Sequence, residues 1–313
     1  MGKLAFVFPG QGAQTVGMGK EFYEGYDLGK KLFDEADEAL GYSIRKLCFE
    51  GPAEELTLTA NTQPAILTVS VIAASLLRER GIMPEVAAGH SLGEYSALVL
   101  AGVLDFQDAV RLVHKRGAFM QEAVPVGEGA MAAVLGLERD KIVAVCEEIS
   151  RESPVQAVNF NCPGQTVIAG AKAGVEKATE ALSAAGAAKC VILPVSAPFH
   201  STLMAPAARK LAAELDKVEI RDAAFPVVSN YTGELESKAA EIKENLVKQA
   251  DHPVKWEDCV AAMVAFGATH FVEAGPGKTL CGFNKRIDRT LKNMNVENPV
   301  SLEKTLDTLK EVR

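Results

Sequence analysis

The motif Gly-His-Ser-Leu-Gly at residues 89–93 restricts the fold of this chain more than any other stretch. An apolar run at 86–88 precedes it and a helical pattern follows at once, which is the strand, sharp turn and helix of a nucleophile elbow. In so tight a turn, a Cβ at Gly89 or Gly93 would collide with neighbouring backbone. Ser91 is then exposed at the tip, beside the free N–H groups of the helix N-terminus, which favour an oxyanion. The motif therefore predicts a nucleophilic Ser91, and a serine in an ordinary turn is the alternative.

An elbow of this type predicts an α/β hydrolase-like core, in which a mostly parallel sheet is flanked by helices. The pattern changes after Gly127-Glu128-Gly129. From there a β-α-β-β-α-β order is predicted, with strands at 130–137, 155–160, 165–169 and 189–195 and helices at 139–151 and 172–185. This order is that of a ferredoxin-like split βαβ unit. We therefore predict a catalytic core of residues 1–127 and 197–313, with an inserted ferredoxin-like subdomain at 128–196.

Hydrophobic periodicity predicts the remaining elements of the core. Strands are expected at 4–8, 225–229 and 270–273, and helices at 20–40, 53–58, 61–80 and 106–123. Pro64 is expected in the first turn of the third helix, where its missing N–H costs nothing. The Gly/Pro loop 274–278 is expected to follow the last strand, and the C-terminus is expected to form a helix and tail.

Composition narrows the class of function. The net charge of −8 over 313 residues argues against nucleic acid as a partner. No apolar run reaches the roughly 18 residues of a membrane span, and the nearest stretch, 64–77, is interrupted by Thr68, Ser70 and Ser75. The apolar N-terminal run is too short for a signal peptide, and the six cysteines lack metal-ligand spacing. These features predict a cytoplasmic protein with reduced thiols, no metal and no membrane association.

Arg116 occupies an unusual place in the predicted helix 106–123. It falls beside the apolar arc of that helix, whereas Arg111 and Lys115 point away. A guanidinium turned towards the interior needs a partner, and no carboxylate lies three or four positions away on the same helix. A bound anion would supply the partner. A distant acidic residue, or a side chain that extends to the rim, is the alternative.

A serine nucleophile needs a base, and the chain contains five histidines. His90 is adjacent to Ser91, but adjacent residues at a strand end point to opposite faces, so its ring is expected to lie away from the hydroxyl. His200 is favoured as the base, because two prolines hold the segment 194–201 extended where the insert rejoins the core. No carboxylate stands out as a third member. A backbone carbonyl that orients the imidazole would leave a Ser-His dyad.

Together these motifs resemble those of the malonyl-CoA:acyl carrier protein transacylases of bacterial type II fatty acid synthesis, and of the acyltransferase domains of fatty acid and polyketide synthases. The resemblance runs nearly end to end, and in this order and spacing the motifs are highly specific. They are Phe8-Pro9-Gly10-Gln11-Gly12-Ala13-Gln14, Gln63-Pro64-Ala65, Gly89 to Tyr95, Arg116-Gly117, Asn159-Phe160-Asn161 with Pro163-Gly164-Gln165, Pro198-Phe199-His200-Ser201, and Gln249 before Pro253-Val254.

The resemblance implies a role for each site residue. Ser91 would be the nucleophile and His200 its base, with the main-chain carbonyl of Gln249 orienting the imidazole. The backbone N–H groups of Gln11 and Leu92 would form the oxyanion hole. The implied reaction is a ping-pong transfer of malonyl from malonyl-CoA, through a malonyl-serine ester, to the phosphopantetheine thiol of acyl carrier protein in fatty acid biosynthesis.

The resemblance also implies how the acyl group is held. Arg116 would clamp the free malonyl carboxylate with two parallel hydrogen bonds. A phenylalanine in the position of Phe199 goes with malonyl rather than methylmalonyl substrates, and Met120, Asn159 and Asn161 are expected in the same substrate pocket. Coenzyme A is expected only as a thioester substrate, with no metal and no permanently bound cofactor.

Three other functions remain compatible with the sequence: a serine thioesterase or carboxylic ester hydrolase, a non-catalytic interaction module of the same fold, and an acyltransferase subunit of a malonate decarboxylase. Hydrolysis would release free malonate, and an interaction module would release no burst of coenzyme A. The acyl carrier protein is expected to be acidic, as this chain is. A local basic surface is therefore predicted near the mouth of the cleft, with the basic residues of 172–189 and of Lys278 to Arg289 as candidates.

Overall fold

Two β-sheets organise the protein, whose structure is a computed structural model that describes residues 2–195 and 197–312. Met1, Ser196 and Arg313, each at the end of a predicted segment, lie outside the described residues. The strands are β1 (Lys3–Phe8), β2 (Val86–Gly89), β3 (Gly129–Leu135), β4 (Val155–Cys162), β5 (Gln165–Ala171), β6 (Lys189–Ile192), β7 (Val227–Val228), β8 (Leu235–Glu236), β9 (Ala268–Ala274) and β10 (Lys292–Val296).

The larger sheet has the strand order β10-β9-β1-β2-β7-β8. Its neighbouring strands are parallel except for β7 and β8, which confirms the prediction of a mostly parallel sheet. The register of β1 and β2 sets Phe8 opposite Gly89. Because parallel strands end at the same edge of a sheet, the loops after β1, β2 and β7 meet at one edge. That edge includes the predicted elbow.

Helices cover both faces of the larger sheet. Alternate residues of β1 enter two different hydrophobic clusters, with Phe6 and Phe8 in one and Ala5 and Val7 in the other. The helices are α1 (Lys20–Gly25), α2 (Asp27–Leu40), α3 (Ile44–Glu50), α4 (Ala53–Thr57), α5 (Thr59–Glu79), α6 (Leu92–Leu100), α7 (Phe106–Glu122), α8 (Arg139–Ile149), α9 (Lys172–Ala184), α10 (Ala205–Leu215), α11 (Ala239–Gln249), α12 (Trp256–Ala265), α13 (Thr279–Ile287) and α14 (Pro299–Val312).

The central helix of the core is α5. By length and composition alone it could cross a membrane, but 89% of its most apolar stretch is buried inside the protein. Pro64 lies in its second turn, not in its first as predicted, because the helix begins at Thr59. Proline removes the N–H that would bond the carbonyl of Ala60. Nδ1 of His114, on α7, lies 2.9 Å from that carbonyl oxygen and satisfies it instead.

The smaller sheet is antiparallel, with the strand order β4-β5-β3-β6. Because α8 lies between β3 and β4 and α9 between β5 and β6, the element order is the predicted ferredoxin-like β-α-β-β-α-β. β4 ends two residues later than expected. It stays paired as far as Cys162, opposite Gln165, which leaves Pro163-Gly164 as a two-residue turn.

The two sheets meet along an apolar seam beside the elbow. Met131 of β3 and Val158 of β4 pack there with Met120 of α7 and with Phe199. Backbone hydrogen bonds cross the same seam, since the N–H of Val254 donates to the carbonyl of Val158 at 2.8 Å. The seam brings the insert against the elbow edge of the larger sheet. The exact boundaries of the insert, 128–196, stay a prediction.

Local predictions of secondary structure are wrong in further places. The helix expected at 20–40 is two helices, because Tyr26 is extended between α1 and α2. Apolar residues keep their helical spacing across this break, so periodicity does not reveal it. The predicted elements also lack four helices and one short strand, which are α3, α10, α12, α13 and β8. The loop 274–278 does not follow the last strand as expected, because the edge strand β10 comes after α13. The sequence of β10, Lys-Asn-Met-Asn-Val, contains few strand-forming residues.

Candidate active site

The strand β2, a sharp turn and helix α6 form the predicted elbow. A Cβ on Gly89 would lie 1.8 Å from the carbonyl carbon of Gly93, and a Cβ on Gly93 would lie 2.1 Å from the carbonyl oxygen of Phe8. The steric prediction for both glycines is confirmed. Ser91 is the turn residue, with φ of 51° and ψ of −107°. Within the described part of the chain, Ser91 and His200 are the non-glycine residues with positive φ.

Ser91 and His200 are in direct contact. Oγ of Ser91 lies 2.8 Å from Nε2 of His200, and Nδ1 of His200 lies 2.8 Å from the carbonyl oxygen of Gln249. A carbonyl oxygen only accepts, so Nδ1 holds the hydrogen and Nε2 can accept from the serine hydroxyl. This is the arrangement that a general base needs. The chain turns at Phe199 and His200 rather than staying extended as predicted, and φ of His200 is 62°.

Burial controls the protonation of His200. Removal from water, and then the charge of nearby Arg116, lower the pKa of His200 from 6.5 to about 3. Both effects disfavour the imidazolium form. The imidazole is therefore neutral at pH 7 and able to accept a proton.

The other histidines have structural contacts. Nε2 of His90 lies 2.9 Å from Oδ1 of Asn161, and burial lowers the pKa of His90. His114 bonds the backbone of α5, and His252 and His270 each contact the residue before them in the chain. Among the described histidines, the sequence-favoured base is thus the one whose ring contacts the serine hydroxyl.

Arg116 reaches the site from α7 and is 1% exposed. Its Nη1 donates to Oε1 of Gln63 at 2.8 Å. Its Nη2 donates to Oε1 of Gln249 at 2.9 Å and to Oγ of Ser91 at 3.0 Å. All three oxygens are uncharged, and no carboxylate of the described residues lies within 4.0 Å of the guanidinium. Burial lowers the pKa of the guanidinium. The structure therefore pairs Arg116 with neutral groups rather than with a distant acidic residue.

A cavity of about 110 Å³ opens beside these three side chains. Besides Ser91, His200 and Arg116, its lining consists of Gln11, Gln63, His90, Met120, Met131, Asn159, Leu193, Val195 and Phe199. Three of the four predicted pocket residues are among them. The fourth, Asn161, instead lines a second cavity of about 230 Å³, which adjoins the first. No cluster of three or more His, Cys, Asp or Glu side chains that could hold a metal ion occurs in residues 2–195 and 197–312.

The two predicted oxyanion donors lie at the strand ends next to Ser91. Leu92 is the first residue of α6, so its N–H has no carbonyl to bond within the helix. Gln11 follows Gly10, whose backbone packs closely on the elbow: a Cβ there would lie 2.4 Å from the carbonyl oxygen of His90. Gln11 also lines the cavity of the serine. This placement fits an oxyanion hole, which stays a prediction.

Two residues that the sequence analysis missed hold the elbow in place. Oδ1 of Asn230 accepts from the N–H of Ser91 at 2.6 Å, and its Nδ2 donates to the carbonyl of Gly89 at 2.7 Å. Glu94 is buried in α6, and its Oε2 accepts from the N–H of Asn230 and from Nε2 of Gln249. The sequence does contain one signal for Asn230, which is its position directly after the predicted strand 225–229. In the structure, β7 from this segment is the neighbour of β2 in the sheet.

Known proteins resemble this chain over nearly its whole length. The acyl transferase domain family matches residues 5–309. The malonyl CoA-acyl carrier protein transacylase of Bacillus subtilis (strain 168) is 51% identical over 312 residues, which cover 99% of this chain and 98% of that relative. The crystal structure of an acyl carrier protein S-malonyltransferase from Vibrio cholerae has a TM-score of 0.95 at 46% identity, over 97% of this chain and 99% of the other. A malonyl-transacylase solved in complex with its type II PKS acyl-carrier protein has a TM-score of 0.95 at 45% identity, over 98% of this chain and 99% of the other. The chain belongs to the acyl transferase domain family.

Proposed function

We propose that this protein transfers the malonyl group from malonyl-CoA to the phosphopantetheine thiol of acyl carrier protein, and so supplies extender units for fatty acid biosynthesis. One observation supports this most: Oγ of Ser91 lies within 3.0 Å of both Nε2 of His200 and Nη2 of Arg116, in one cavity. A nucleophile beside a base can form an acyl ester. A buried cation with neutral partners suits an acyl group that has its own carboxylate. The relatives described above have names that state malonyl transfer.

The first half of the reaction forms a malonyl ester on Ser91. Nε2 of His200 takes the hydroxyl proton, and Oγ attacks the carbonyl carbon of the thioester. The tetrahedral oxyanion accepts hydrogen bonds from the N–H groups of Gln11 and Leu92. The carbon–sulfur bond then breaks, and coenzyme A leaves as a thiol with the proton from His200. The carbonyl of Gln249 keeps the imidazole oriented, because it accepts from Nδ1.

Arg116 holds the far end of the acyl group. In malonyl, one methylene joins the carboxylate to the reacting carbonyl, so a cation beside Oγ of Ser91 lies within reach of that carboxylate. A planar guanidinium can donate two parallel hydrogen bonds to it. Gln63 and Gln249 fix the plane of the guanidinium, since each accepts from one of its terminal nitrogens. Phe199 adds apolar surface to the same cavity and is expected to favour malonyl over methylmalonyl.

The second half of the reaction moves malonyl to the carrier protein. The phosphopantetheine thiol gives its proton to His200 and attacks the ester carbonyl. The ester carbon–oxygen bond breaks, and Ser91 regains its proton from His200. The second cavity offers a route for the phosphopantetheine arm, because it shares Gln11 and Asn159 with the cavity of the serine. An arm in that cavity also keeps water from the ester.

Mass spectrometry of the protein and of all reaction products tests this function. The protein is mixed with malonyl-CoA, with and without the phosphopantetheine form of acyl carrier protein, and all products are identified by mass spectrometry. Transfer gives a burst of coenzyme A, a protein heavier by one malonyl group, and then malonyl carrier protein. Free malonate as the main product would favour a hydrolase, and no burst would favour an interaction module. Transfer to a malonate decarboxylase carrier alone would favour the third alternative.

The rate at which malonyl-CoA acylates the free enzyme is expected to persist when the pH is lowered well below 6.5. An ordinary histidine base fails as the pH falls through 6.5, because imidazolium accepts no proton. Here burial lowers the pKa of His200 to about 3, so the base stays neutral in that range. The measurement is kcat/KM for malonyl-CoA against pH, which reports the groups of the free enzyme. A loss of rate centred near pH 6.5 would contradict a neutral, buried His200.

We propose that the acyl carrier protein docks on the basic surface formed by Lys285, Arg286 and Arg289. These residues lie on and just after α13 and line a shallow cavity of about 510 Å³. Arg286 also donates to Oε1 of Gln165 at 3.0 Å, and Gln165 lines the second cavity. The basic surface therefore adjoins the route proposed for the phosphopantetheine arm. An acidic partner would be attracted to it by charge.

Reversing two of these charges is expected to weaken the binding of the carrier protein without affecting the acylation of Ser91. The double variant Lys285→Glu with Arg289→Glu should raise the KM for acyl carrier protein by about tenfold. Acylation of Ser91 at saturating malonyl-CoA should not change. Lys31→Glu on α2, which packs away from α13, is the matched control. An unchanged KM in the double variant would contradict this docking surface. If the KM rose in Lys177→Glu instead, the docking surface would lie on α9.

We also propose the cytoplasm as the site of action. All six cysteines are free in the structure. Free thiols are usual in a reducing compartment. In this proposal coenzyme A takes part as a thioester substrate, and the expectation of no permanently bound cofactor stays a prediction.

A further inference from the structure

A buried carboxyl lies beneath the site and takes no part in the reaction proposed above. Glu94 is in the first turn of α6, three residues after Ser91, and its side chain is fully buried. Its Oε2 accepts from the N–H of Asn230 at 2.9 Å and from Nε2 of Gln249 at 3.0 Å. Acidic side chains are almost never fully buried without a partner. Both partners of Glu94 are uncharged donors that in turn contact the active site.

Gln249 connects the carboxyl to Arg116. Its Nε2 donates to Oε2 of Glu94 and, at 2.8 Å, to the carbonyl oxygen of Ser91. Its Oε1 accepts from Nη2 of Arg116 at 2.9 Å. Only the nitrogen of an amide donates and only the oxygen accepts. If the amide were reversed, its NH₂ group would face the guanidinium and two donors would oppose each other. The acceptor at Glu94 therefore helps to select the orientation in which Arg116 has a partner.

Asn230 connects the same oxygen of Glu94 to the nucleophile. The backbone N–H of Asn230 donates to Oε2 of Glu94, and Oδ1 of Asn230 accepts from the N–H of Ser91 at 2.6 Å. One atom thus supports both the guanidinium and the backbone of the serine. The two paths meet again at the site, where Nη2 of Arg116 donates to Oγ of Ser91 at 3.0 Å.

We propose that Glu94 is a positioning residue for the choice of acyl group: by accepting from Gln249, it holds Arg116 in the orientation that receives the malonyl carboxylate. This inference rests on the proposed malonyl transfer. Glu94 acts through Gln249 and touches no substrate. An acyl group without a carboxylate makes no use of Arg116. Loss of the acceptor should therefore reduce acylation by malonyl-CoA more than acylation by acetyl-CoA.

The acceptor oxygen of Glu94, rather than a negative charge, supplies this support. Burial first, and then nearby Glu236, raise the pKa of Glu94 to about 8. An uncharged acid still accepts at one oxygen, and Oε1 of Glu94 has no hydrogen-bond partner among the described residues. Glutamine can present the same acceptor to Asn230 and Gln249. Methionine fills a similar volume but has no acceptor oxygen. These two substitutions therefore separate the acceptor from the bulk of the side chain.

Acylation of Ser91 by malonyl-CoA and by acetyl-CoA tests the proposal. The kcat/KM of each thioester is measured by mass spectrometry of the intact protein, and the malonyl-to-acetyl ratio is compared with that of the wild type. Glu94→Met is expected to lower this ratio by about tenfold or more. Glu94→Gln is expected to keep it within about threefold of the wild type. A purely structural loss would lower both rates together and leave the ratio unchanged.

Glu236→Gln is the matched control. This second buried carboxyl accepts from Nδ2 of Asn245 at 2.6 Å, so its replacement should leave the ratio unchanged. Thermal unfolding identifies the folded variants. If Glu94→Met does not fold, Glu94→Asp takes its place, since the shorter side chain withdraws the oxygen from Gln249 and should lower the ratio. A wild-type ratio in the folded variant, or an equal loss in Glu94→Gln, would overturn the proposal. A wild-type protein that malonyl-CoA does not acylate would overturn the proposed function instead.

Discussion

The Ser91→Ala variant is expected to form no acyl-enzyme when it is mixed with malonyl-CoA. The hydroxyl that contacts Nε2 of His200 at 2.8 Å is removed, so no atom in that position can form the ester. Alanine leaves the oxyanion donors and Arg116 in place, and malonyl-CoA should still bind. Steady-state transfer to the carrier protein should fall by roughly 10⁴-fold or more. Intact-protein mass spectrometry measures the ester directly, and coenzyme A release measures the burst.

Ser201→Ala is the control for this loss. Ser201 adjoins His200 in the chain, and its Oγ donates to the carbonyl of Pro198 at 2.7 Å. Its removal takes away a nearby hydroxyl but not the one that contacts the base, so acylation should persist. A malonyl group still attached to the Ser91→Ala protein, and mapped to another residue, would remove Ser91 from the mechanism.

The Arg116→Ala variant is expected to lose malonyl transfer while retaining much of any acetyl transfer. A malonyl carboxylate in the cavity would then be buried without its cation, at a cost of about 3 kcal/mol, or roughly 100-fold in kcat/KM. Acetyl-CoA has no carboxylate, and its acylation should change much less or improve, because the apolar methyl group no longer meets a buried guanidinium. Parallel measurements of kcat/KM for malonyl-CoA and acetyl-CoA test this difference.

Arg111→Ala is the matched substitution on the same helix. Arg111 points outward and pairs with Asp108 at 3.1 Å, so its loss should affect neither substrate. Arg116→Ala also leaves Oε1 of Gln63 and Oε1 of Gln249 without their donor, which affects both substrates alike. An equal loss with malonyl-CoA and acetyl-CoA would therefore show that Arg116 supports the structure and does not bind the acyl carboxylate.

Local chemistry made much of the site predictable from the sequence. Gly89 is required by a backbone contact with Gly93 inside the motif, and the motif itself marks Ser91, although the contact that requires Gly93 is with the distant Phe8. Helical periodicity alone predicts that Arg116 points towards the interior, because the spacing of residues along a helix decides which face each one occupies. The position of His200 where the insert rejoins the core favours it among five histidines, although its contact with Ser91 joins residues 109 positions apart.

The partners of these residues could not be predicted in the same way. Gln63 and Gln249 reach Arg116 from positions 53 and 133 residues away, and only tertiary packing brings them there. Asn230 lies outside every motif, and Glu94 lies within the motif Gly89 to Tyr95 but has no assigned role there. The family resemblance implies a role for the main-chain carbonyl of Gln249, but it does not predict the orientation of the side-chain amide of Gln249. That orientation depends on the oxygen of Glu94 and on the carbonyl of Ser91.

The fold shows the same division between local and distant causes. The insert was predictable because each of its elements has a strong pattern and a clear turn. The edge strand β10 was not, because its pairing with β9 supplies what its own residues lack. The sequence predicts a start of α5 that is two residues too late, because proline normally marks a first turn, whereas α5 begins at Thr59. Here His114, from another helix, bonds the carbonyl that the proline leaves free.

The positive φ angles of Ser91 and His200 place a cost in stability on the two residues that the proposed reaction uses. Left-handed dihedral angles at a residue with a side chain cost about 1–3 kcal/mol each, and the angles here are φ of 51° and 62°. Glycine adopts such angles freely, so a chain with glycine at both positions would be free of this backbone strain. It would lose its hydroxyl and its imidazole in doing so. Any effort to make this protein more thermostable should therefore leave these two positions alone and look for gains elsewhere in the fold.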